Sequence, residues 1–321
     1  MTFNRCQPGG FRTSVYQTQV FRGDMHSDQI EIKAAQVARL IADQFPQLEG
    51  EEIVELATAG TTNAIFRIGA SHAARFPLRM MDPDQCTRLL EAEAKASAEF
   101  HDCCPFASPK PVGLGRPGTG YPLPWLIQTW IDGEVATPAG LSGSSVFALD
   151  LARLITTLRK ADLRGRTFDG RGRGGHLPDH DGWMEECFSR SEQLLDVTRM
   201  RFMWAGFREL PSPKHEVMSH RDLIPANLLV DGEHLVGVLD TGSFGPADPS
   251  LDLVAAWHLL DREARTMFRE ALQADDLEWH RGAAWAFQQA MGLVWYYRHT
   301  NPVMSGLGRS TLSRLMEDYP E

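Results

Sequence analysis

Alternating and helical hydrophobic patterns divide the chain into a strand-rich first part and a helix-rich second part. Strands are predicted near 53–58, 64–69, 72–77, 111–115 and 123–131. Helices are predicted over roughly 83–101, from about 144, over 183–210, and near 250–273, 276–299 and 303–317. A small sheet followed by many helices is typical of an α+β protein.

The first residues show no such pattern. Residues 1–24 are polar and aperiodic, so we expect a flexible N-terminal arm whose deletion leaves stability and activity unchanged. Ser27 is a good N-cap, and Ile30, Ala34, Val37 and Ile41 fall on one helical face. This pattern predicts a first helix close after Met25, where the fold should begin.

A hairpin is predicted late in the chain. Two apolar runs, 228–230 and 235–239, flank Asp231-Gly232, a dipeptide that tolerates the positive φ angles of a tight turn. Counting outward from this turn pairs position 230 with 233 and position 223 with 240. The register therefore predicts that Asp240 folds back beside Asp222.

Polar side chains at the mouth of this hairpin indicate a chemistry. Asp222, Asn227 and Asp240 would lie together there. Phosphoryl transfer needs one carboxylate near the acceptor hydroxyl, and a carboxylate with an amide oxygen to hold Mg²⁺ on the phosphates. The alternative is a surface hairpin with incidental acids, because Asp and Asn are common at turns.

Composition narrows the class of protein. A chain of 321 residues suggests two domains or lobes, and its 43% hydrophobic and 23% charged residues are ordinary for a globular protein. The net charge of −10 argues against nucleic acid and anionic membrane as partners, and favours a cationic small molecule.

The cysteine pattern and the hydropathy of the chain indicate the cellular compartment. The 5 cysteines include an adjacent pair, Cys103-Cys104, and form no C-x-x-C motif, so structural zinc and a disulfide framework are not expected. No run is long enough for a membrane span, and no apolar segment of a signal peptide follows the N-terminus. A reducing cytoplasm is the simplest interpretation.

Five motifs together resemble the aminoglycoside phosphotransferase-like family, which has the protein-kinase-like fold. They are Gly60-Thr61-Thr62-Asn63-Ala64, the segment 220–230 that begins His220-Arg221-Asp222, Val238-Leu239-Asp240-Thr241-Gly242, Asp248-Pro249-Ser250-Leu251-Asp252-Leu253, and 296–302. The resemblance runs from about Met25 to the C-terminus. It implies an antiparallel-sheet N-lobe over 25–128, a hinge at 129–134 and a helical C-lobe over 135–321.

The resemblance also implies roles in the C-lobe. Asp222 resembles the catalytic base or the carboxylate that orients the acceptor, and Asn227 and Asp240 resemble the magnesium ligands. His220 is expected to organise the catalytic loop rather than to shuttle protons. Asp252 is expected to tie the following helix to that loop by hydrogen bonds.

In the N-lobe the resemblance implies a nucleotide site. Arg75 stands where kinases place a lysine on the phosphates, with Glu93 as its helix partner; an ordinary surface Arg and Glu is the alternative. Gly60, Thr61 and Thr62 would cover the phosphates.

The hinge would read the base of the nucleotide. The Thr129 carbonyl and the Ile131 N–H would bind adenine. These are backbone groups, so the sequence does not separate ATP from GTP.

Two departures from the family pattern, Arg221 where many relatives have glycine and Thr241 where many have Trp or Phe, affect the acceptor side.

The implied function is an ATP- and Mg²⁺-dependent kinase that phosphorylates a hydroxyl of an aminoglycoside-like or aminocyclitol acceptor. The acidic balance supports a cationic acceptor, as do six carboxylates whose alternative is a solvated helix face: Asp179, Asp181, Glu185, Glu186, Asp261 and Glu263. The alternatives are a metabolic kinase for choline, homoserine or a sugar, a macrolide kinase, or a nucleotide-binding pseudokinase.

Two further features carry expectations. The Gly/Arg-rich loop 164–182 is expected to be mobile and to edge the acceptor cleft, because its glycines make ordering costly and its arginines repel one another; a plain connector is the alternative. Asp248 is expected to act only as an N-cap, followed by Pro249 at the first helical position.

Overall fold

The structure is a computed structural model that describes residues 30–56 and 63–320. The predicted arm at 1–24 and the predicted phosphate-covering residues Gly60, Thr61 and Thr62 lie outside the described residues.

The first part of the chain builds an antiparallel sheet of 5 strands in the order β1-β2-β3-β5-β4. The strands are β1 (Ile53–Leu56), β2 (Asn63–Ile68), β3 (His72–Pro77), β4 (Pro111–Gly115) and β5 (Trp125–Thr129). Each lies where the alternating pattern predicts it. Aromatic side chains fill one face, and the rings of Phe76 and Trp125 stack with centroids 4.7 Å apart.

Two helices accompany the sheet, α1 (Ala34–Gln44) and α2 (Pro83–Cys103). Helix α2 begins as predicted, with Asp82 as N-cap accepting a hydrogen bond from the Gln85 N–H at 2.8 Å. The predicted start of the first helix after Ser27 is wrong. Helix α1 begins at Ala34 because Lys33 is still extended, while Ile30 donates its N–H to the Leu78 carbonyl at 2.8 Å.

The second part is mostly helical. Its helices are α3 (Pro138–Leu141), α4 (Ser145–Leu158), α5 (Asp181–Ser191), α6 (Val197–Arg208), α7 (Val254–Leu259), α8 (Arg262–Leu272), α9 (Asp276–Tyr296) and α10 (Pro302–Asp318). Helix α9 is buried on nearly all sides from Trp279 to Val294, so it forms the centre of this part. Among the described residues no helix combines the length and apolar character that a membrane span needs.

Short strands and turns connect these helices. The strands are β6 (Glu134–Val135), β7 (Val217–Ser219), β8 (Leu228–Asp231), β9 (His234–Val238) and β10 (Gly245–Ala247), and the 3₁₀ turns are 46–48, 177–180, 225–227, 241–243 and 251–253. The helix expected over 250–273 is interrupted, because Asp261 caps α8 by accepting from the Ala264 N–H at 3.0 Å.

The hairpin β8–β9 forms where it was predicted, but its predicted register is wrong. Asp231 pairs with His234, so the turn is Gly232-Glu233 rather than Asp231-Gly232. A bulge then places Leu229 opposite Gly237. As a result the residue before Asp240 pairs with Asn227: the Leu239 N–H donates to the Asn227 carbonyl at 2.8 Å.

The expectation that Asp248 is only a cap is also wrong. Its Oδ1 does accept from the Ser250 N–H at 2.9 Å, as a local cap would. Its Oδ2, however, accepts from Arg281 Nε at 2.8 Å and from Trp285 Nε1 at 2.9 Å, both on α9. Asp248 and Arg281 are each 1% exposed, so they form a buried ion pair.

Candidate active site

A cleft of 1240 Å³ lies between the sheet and the helical part. Its lining includes four side chains that the sequence predicts to act there: Arg75, Glu93, Asp222 and Asp240. His220 and Asn227 are buried behind this lining and are hydrogen-bonded to the Asp222 segment. The tertiary structure therefore brings the predicted catalytic and phosphate-binding residues together.

His220 is fully buried, and both of its ring nitrogens are occupied by backbone groups. Its Nε2–H donates to the Leu239 carbonyl at 2.8 Å, and its Nδ1 accepts from the Asp222 N–H at 3.2 Å. The ring therefore ties the catalytic loop to the strand end that leads into Asp240. Neither nitrogen faces the cleft, so the geometry suits an organising residue.

Asp252 holds the same loop from the other side. Its two carboxylate oxygens accept from the His220 N–H at 2.9 Å and from the Arg221 N–H at 3.0 Å. The predicted tie between this aspartate and the catalytic loop is confirmed.

Arg221 adopts a left-handed backbone conformation, with φ of 73°. This conformation costs a non-glycine residue about 1–2 kcal/mol, a cost that glycine would avoid. Its guanidinium group contacts the loop 164–182, donating to Asp169 Oδ1 at 3.2 Å and lying over the Phe168 ring at 5.0 Å.

The Asp222 carboxylate is held by three donors. Its Oδ1 accepts from Arg173 Nη2 at 2.6 Å and from Gln289 Nε2 at 2.9 Å. Asn227 Nδ2 donates to the Asp222 carbonyl at 2.9 Å and lies 3.3 Å from Oδ2. With Oδ1 engaged by two donors, Oδ2 is the oxygen better placed to receive a hydroxyl.

A buried chain of side chains stands behind Gln289. Its Oε1 accepts from His258 Nε2 at 3.0 Å, and His258 Nδ1 lies 2.8 Å from the Thr311 hydroxyl. Burial lowers the pKa of His258 to about 4, so the ring is neutral near pH 7. Since the Gln289 amide must present its NH₂ to a carboxylate, its oxygen faces His258 and places the histidine proton on Nε2.

On the sheet side, Arg75 of β3 reaches across to the helical part. Its Nη2 donates to Asp240 Oδ1 at 3.3 Å, and its Nη1 lies 4.0 Å from Glu93 Oε2 on α2. The predicted pairing of Arg75 with Glu93 is confirmed. Burial raises the pKa of Glu93, Arg75 opposes that rise, and the nearby Asp240 carboxylate adds to it.

The predicted hinge residues lie away from this lining. Thr129 ends β5, where its N–H donates to the Lys110 carbonyl at 2.9 Å and its hydroxyl accepts from the Lys110 N–H at 2.9 Å. Ile131 lies against the β8–β9 hairpin, close enough that a Cβ on Gly237 would meet it at 2.9 Å. Neither residue contributes to the described lining of the cleft.

The Gly/Arg-rich loop does edge the cleft, as predicted, through Asp169, Arg171 and Arg173 among others. The expected repulsion among its arginines is wrong, because acids compensate them. Arg166 donates to both oxygens of Glu99 at 2.9 and 2.6 Å, and Arg173 pairs with Asp222.

The loop is also tied down next to Arg173. The Gly174 carbonyl accepts from the Asp248 N–H at 2.8 Å. A Cβ at Gly174, whose φ is 113°, would meet Ala247 at 2.8 Å. The backbone therefore passes close to β10 at a point where only glycine fits.

The sequence did not reveal three residues of the site. Gln289 and His258 lie on apolar helices and reach Asp222 only through tertiary packing, so no local signal marks them. Arg173 was noticed as part of the loop, but its contact with Asp222 spans 49 positions of the chain.

The six acids expected to attract a cationic acceptor do not line the cleft. Several of them serve local structure instead. Asp181 pairs with Arg208 at 2.7 Å, Glu186 pairs with Arg190 at 2.8 Å, and Asp261 caps α8. They therefore give no support to a cationic acceptor.

Oxygen atoms suited to a magnesium ion are present beside Arg75. The Asp240 side chain is 53% exposed, and the Asn227 amide nitrogen is committed to Asp222, which leaves Asn227 Oδ1 as the atom for an ion. Over 30–56 and 63–320 no group of three or more His, Cys, Asp or Glu side chains could hold a metal by itself. Such a sparse set fits Mg²⁺, which takes one or two carboxylates together with substrate phosphates and water.

Comparison with known proteins identifies relatives of this fold. A family model described as the phosphotransferase enzyme family matches residues 53–285. The GDP and kanamycin complex of APH(2")-IIia is 16% identical, with a TM-score of 0.68 over 88% of this chain and 98% of that chain. No curated protein sequence matches the chain.

Two further solved structures are similar. Macrolide 2'-phosphotransferase MphH from Brachybacterium faecium is 16% identical, with a TM-score of 0.57 over 87% of this chain and 97% of that chain. The streptomycin–ATP–APH(2")-IIa ternary complex is 15% identical, with a TM-score of 0.56 over 81% of this chain and 90% of that chain. These likenesses confirm the predicted α+β, protein-kinase-like fold.

Proposed function

The chain belongs to the phosphotransferase enzyme family, and from this premise we propose that it is a kinase that transfers the γ-phosphate of ATP to a hydroxyl of a small molecule. The observation that carries the proposal is the meeting of Asp222, Asp240 and Arg75 in one cleft, with Asn227 directly behind it. This set provides an acceptor-orienting carboxylate, ion ligands and a phosphate-binding cation.

Asp222 would orient the acceptor hydroxyl through Oδ2. Oδ1 is engaged by Arg173 and Gln289, so the carboxylate keeps one orientation while the substrates change. Positioning of this kind supplies most of the catalysis in phosphoryl transfer, where the protein does little covalent chemistry. His220 would act as a positioning residue that keeps the Asp222 and Asp240 segments in register.

Arg75 would bind the nucleotide phosphates. It is held at the cleft by Asp240 and Glu93, and a guanidinium group can pair with phosphate oxygens in a bidentate manner. Gly60, Thr61 and Thr62 would complete the phosphate site, and Thr129 and Ile131 would bind the base. A GDP complex and an ATP complex among the similar structures leave both nucleotides open for this chain.

Mg²⁺ would be held by Asp240 and Asn227 Oδ1 together with phosphate oxygens. When bound, the ion neutralises charge on the phosphates and screens it from the incoming hydroxyl. The Arg75–Asp240 contact of 3.3 Å keeps the metal ligand next to the phosphate-binding cation.

An aminoglycoside-like or aminocyclitol acceptor stays a prediction from resemblance. Kanamycin and streptomycin are bound in two similar structures, and a third is a macrolide phosphotransferase. A kinase of choline, homoserine or a sugar, and a pseudokinase, also remain open. A cytoplasmic location stays a prediction from the cysteine pattern.

The test uses two substitutions and a screen of hydroxylated acceptors. Asp222→Asn should keep nucleotide affinity but lose at least 100-fold in turnover, since the orienting carboxylate is gone. Asp240→Ala should weaken Mg²⁺-dependent nucleotide binding in titration calorimetry, because a charged ligand is removed.

Asp231→Asn is the matched control, because Asp231 is an exposed aspartate of the same hairpin outside the cleft lining. It should behave like the unaltered protein in both assays. Wild-type turnover by a folded Asp222→Asn protein would falsify the kinase proposal.

A further inference from the structure

One wall of the cleft carries no charged side chain. We name it the acceptor wall: Trp183 of α5, Gln288, Gln289, Leu293 and Tyr296 of α9, and Met304 of α10. These helices are fully described, and every lining side chain that they contribute is apolar, aromatic or an amide. A protein that binds a polyamine-like ligand pairs the ammonium groups of the ligand with carboxylates. The acceptor wall has no carboxylate.

Among the carboxylates that line the cleft, Asp222 contacts this wall through Gln289 at 2.9 Å, and its charge is already balanced. Arg173 lies 2.6 Å from Asp222 Oδ1, with side-chain exposures of 26% and 30% for the pair. A cationic acceptor group that approached Asp222 Oδ2 would lie beside this guanidinium, which stays on Oδ1. Because like charges at such a separation repel, Arg173 acts against amines at the position where the acceptor reacts.

Every carboxylate in the described lining of the cleft is paired with an arginine. Arg171 also lines the cleft, and Arg221 lines it as well while pairing with Asp169 at 3.2 Å. Burial lowers the pKa of His180, and the nearby Arg173 lowers it further, while Asp179 and Asp181 oppose the shift. The net charge of −10 for the whole chain therefore does not describe this site.

The acceptor wall offers flat apolar surface. Trp183 is 39% exposed and rests against the α9 backbone, where a Cβ on Gly292 would meet its ring at 2.8 Å. Tyr296 is 42% exposed at the end of the same wall. Leu293 and Met304 belong to a small apolar cluster beneath. Partly exposed aromatic rings beside a polar reaction centre suit a ligand with an apolar or aromatic body.

We propose that the acceptor is a hydroxylated molecule with an apolar or aromatic body and without a cationic group, and that Arg173 excludes amines from the position next to Asp222. This inference rests on the proposed kinase function, and it names the substrate class of that same site.

Three matched ligands test it: phenyl β-glucoside, phenyl β-glucuronide, and phenyl 2-amino-2-deoxy-β-glucoside. They share the aromatic ring and the sugar but are neutral, anionic and cationic. Dissociation constants would be measured on the full chain by titration calorimetry. We expect the neutral and anionic ligands to bind at least tenfold more tightly than the amine. Equal or tighter binding of the amine, or no binding by any of the three, would overturn the proposal.

Two variants test whether Arg173 and Trp183 cause this preference among the ligands. Arg173→Gln removes the charge at similar length and should improve binding of the amine relative to the neutral ligand by at least fivefold. Trp183→Ala should weaken all three ligands alike, whereas Phe202→Ala, an exposed aromatic outside the cleft lining, should change nothing. An unchanged amine ratio in a folded Arg173→Gln protein contradicts the role of Arg173.

Nucleotide binding to the same proteins separates this inference from the kinase proposal. Mg²⁺-dependent ATP binding and phosphorylation of some hydroxylated acceptor would remain if only the acceptor class were wrong. If the unaltered protein shows neither ATP binding nor phosphorylation of any acceptor, the result counts against the kinase function itself.

Discussion

Asp248→Asn should destabilise the protein strongly although it removes only a charge. Asp248 and Arg281 are both 1% exposed, and the Asp248 carboxylate takes two donors of Arg281 and the indole N–H of Trp285. Replacing the carboxylate by an amide leaves the Arg281 cation buried without a counter-charge, which costs about 3–5 kcal/mol. Such a loss is a large fraction of the roughly 5–15 kcal/mol that holds a typical domain folded.

The assay is urea unfolding followed by tryptophan fluorescence, with a thermal scan beside it. A loss of this size should lower Tm by about 4–8 °C for a chain of this length. The double change Asp248→Asn/Arg281→Met should be more stable than Asp248→Asn alone, because it also removes the stranded cation. Glu186→Gln, which breaks the exposed pair with Arg190, should cost at most about 1 kcal/mol.

Two outcomes would refute this reasoning about the buried pair. One is a loss below 1 kcal/mol for Asp248→Asn. The other is a double variant no more stable than the single one. Either result would mean that the Arg281 cation is compensated by the carbonyls around it, such as that of Pro211 at 2.9 Å.

Three further predictions concern the chain of side chains behind Asp222. Gln289→Leu should lower kcat by about 10–100-fold with little change in nucleotide affinity, since it removes a hydrogen bond to a charged group. His258→Phe should lower kcat by about 2–12-fold, but by nothing further in the Gln289→Leu background, because His258 acts through Gln289; additive losses would contradict this. Because the folded-state pKa of His258 is about 4, below the usual 6.5, the unfolded chain binds more protons between these values. Stability should therefore fall by up to about 3 kcal/mol as pH drops from 6.5 to 4, and His258→Gln should lose this part of the slope in pH-dependent unfolding.

Much of the fold and part of the site could be predicted from local patterns. Strands β1 to β5, helix α2 and the β8–β9 hairpin lie where periodicity and turn residues place them, because each depends on interactions between neighbours in the chain. The pairing of Arg75 with Glu93 was implied by the family resemblance and is confirmed at 4.0 Å. The predicted hairpin register was wrong for two reasons: the turn is Gly232-Glu233, one residue later than predicted, and a bulge between Leu229 and Val230 shifts the pairing again. A bulge is set by how the strands pack and leaves no local signal.

The sequence by itself indicated the reaction class, because the ordered set of Asp222, Asn227 and Asp240 has the residue types and spacing that phosphoryl transfer needs. Only the tertiary structure decided the environment of that set. Arg173 balances Asp222 across 49 positions of the chain, and Gln289 reaches it across 67. The net charge of the chain pointed to a cationic acceptor, whereas the packing of α5, α9 and α10 lines the acceptor wall with uncharged groups. The physical reason is that charge sums over the whole surface, while recognition depends on the few groups that folding brings within contact distance.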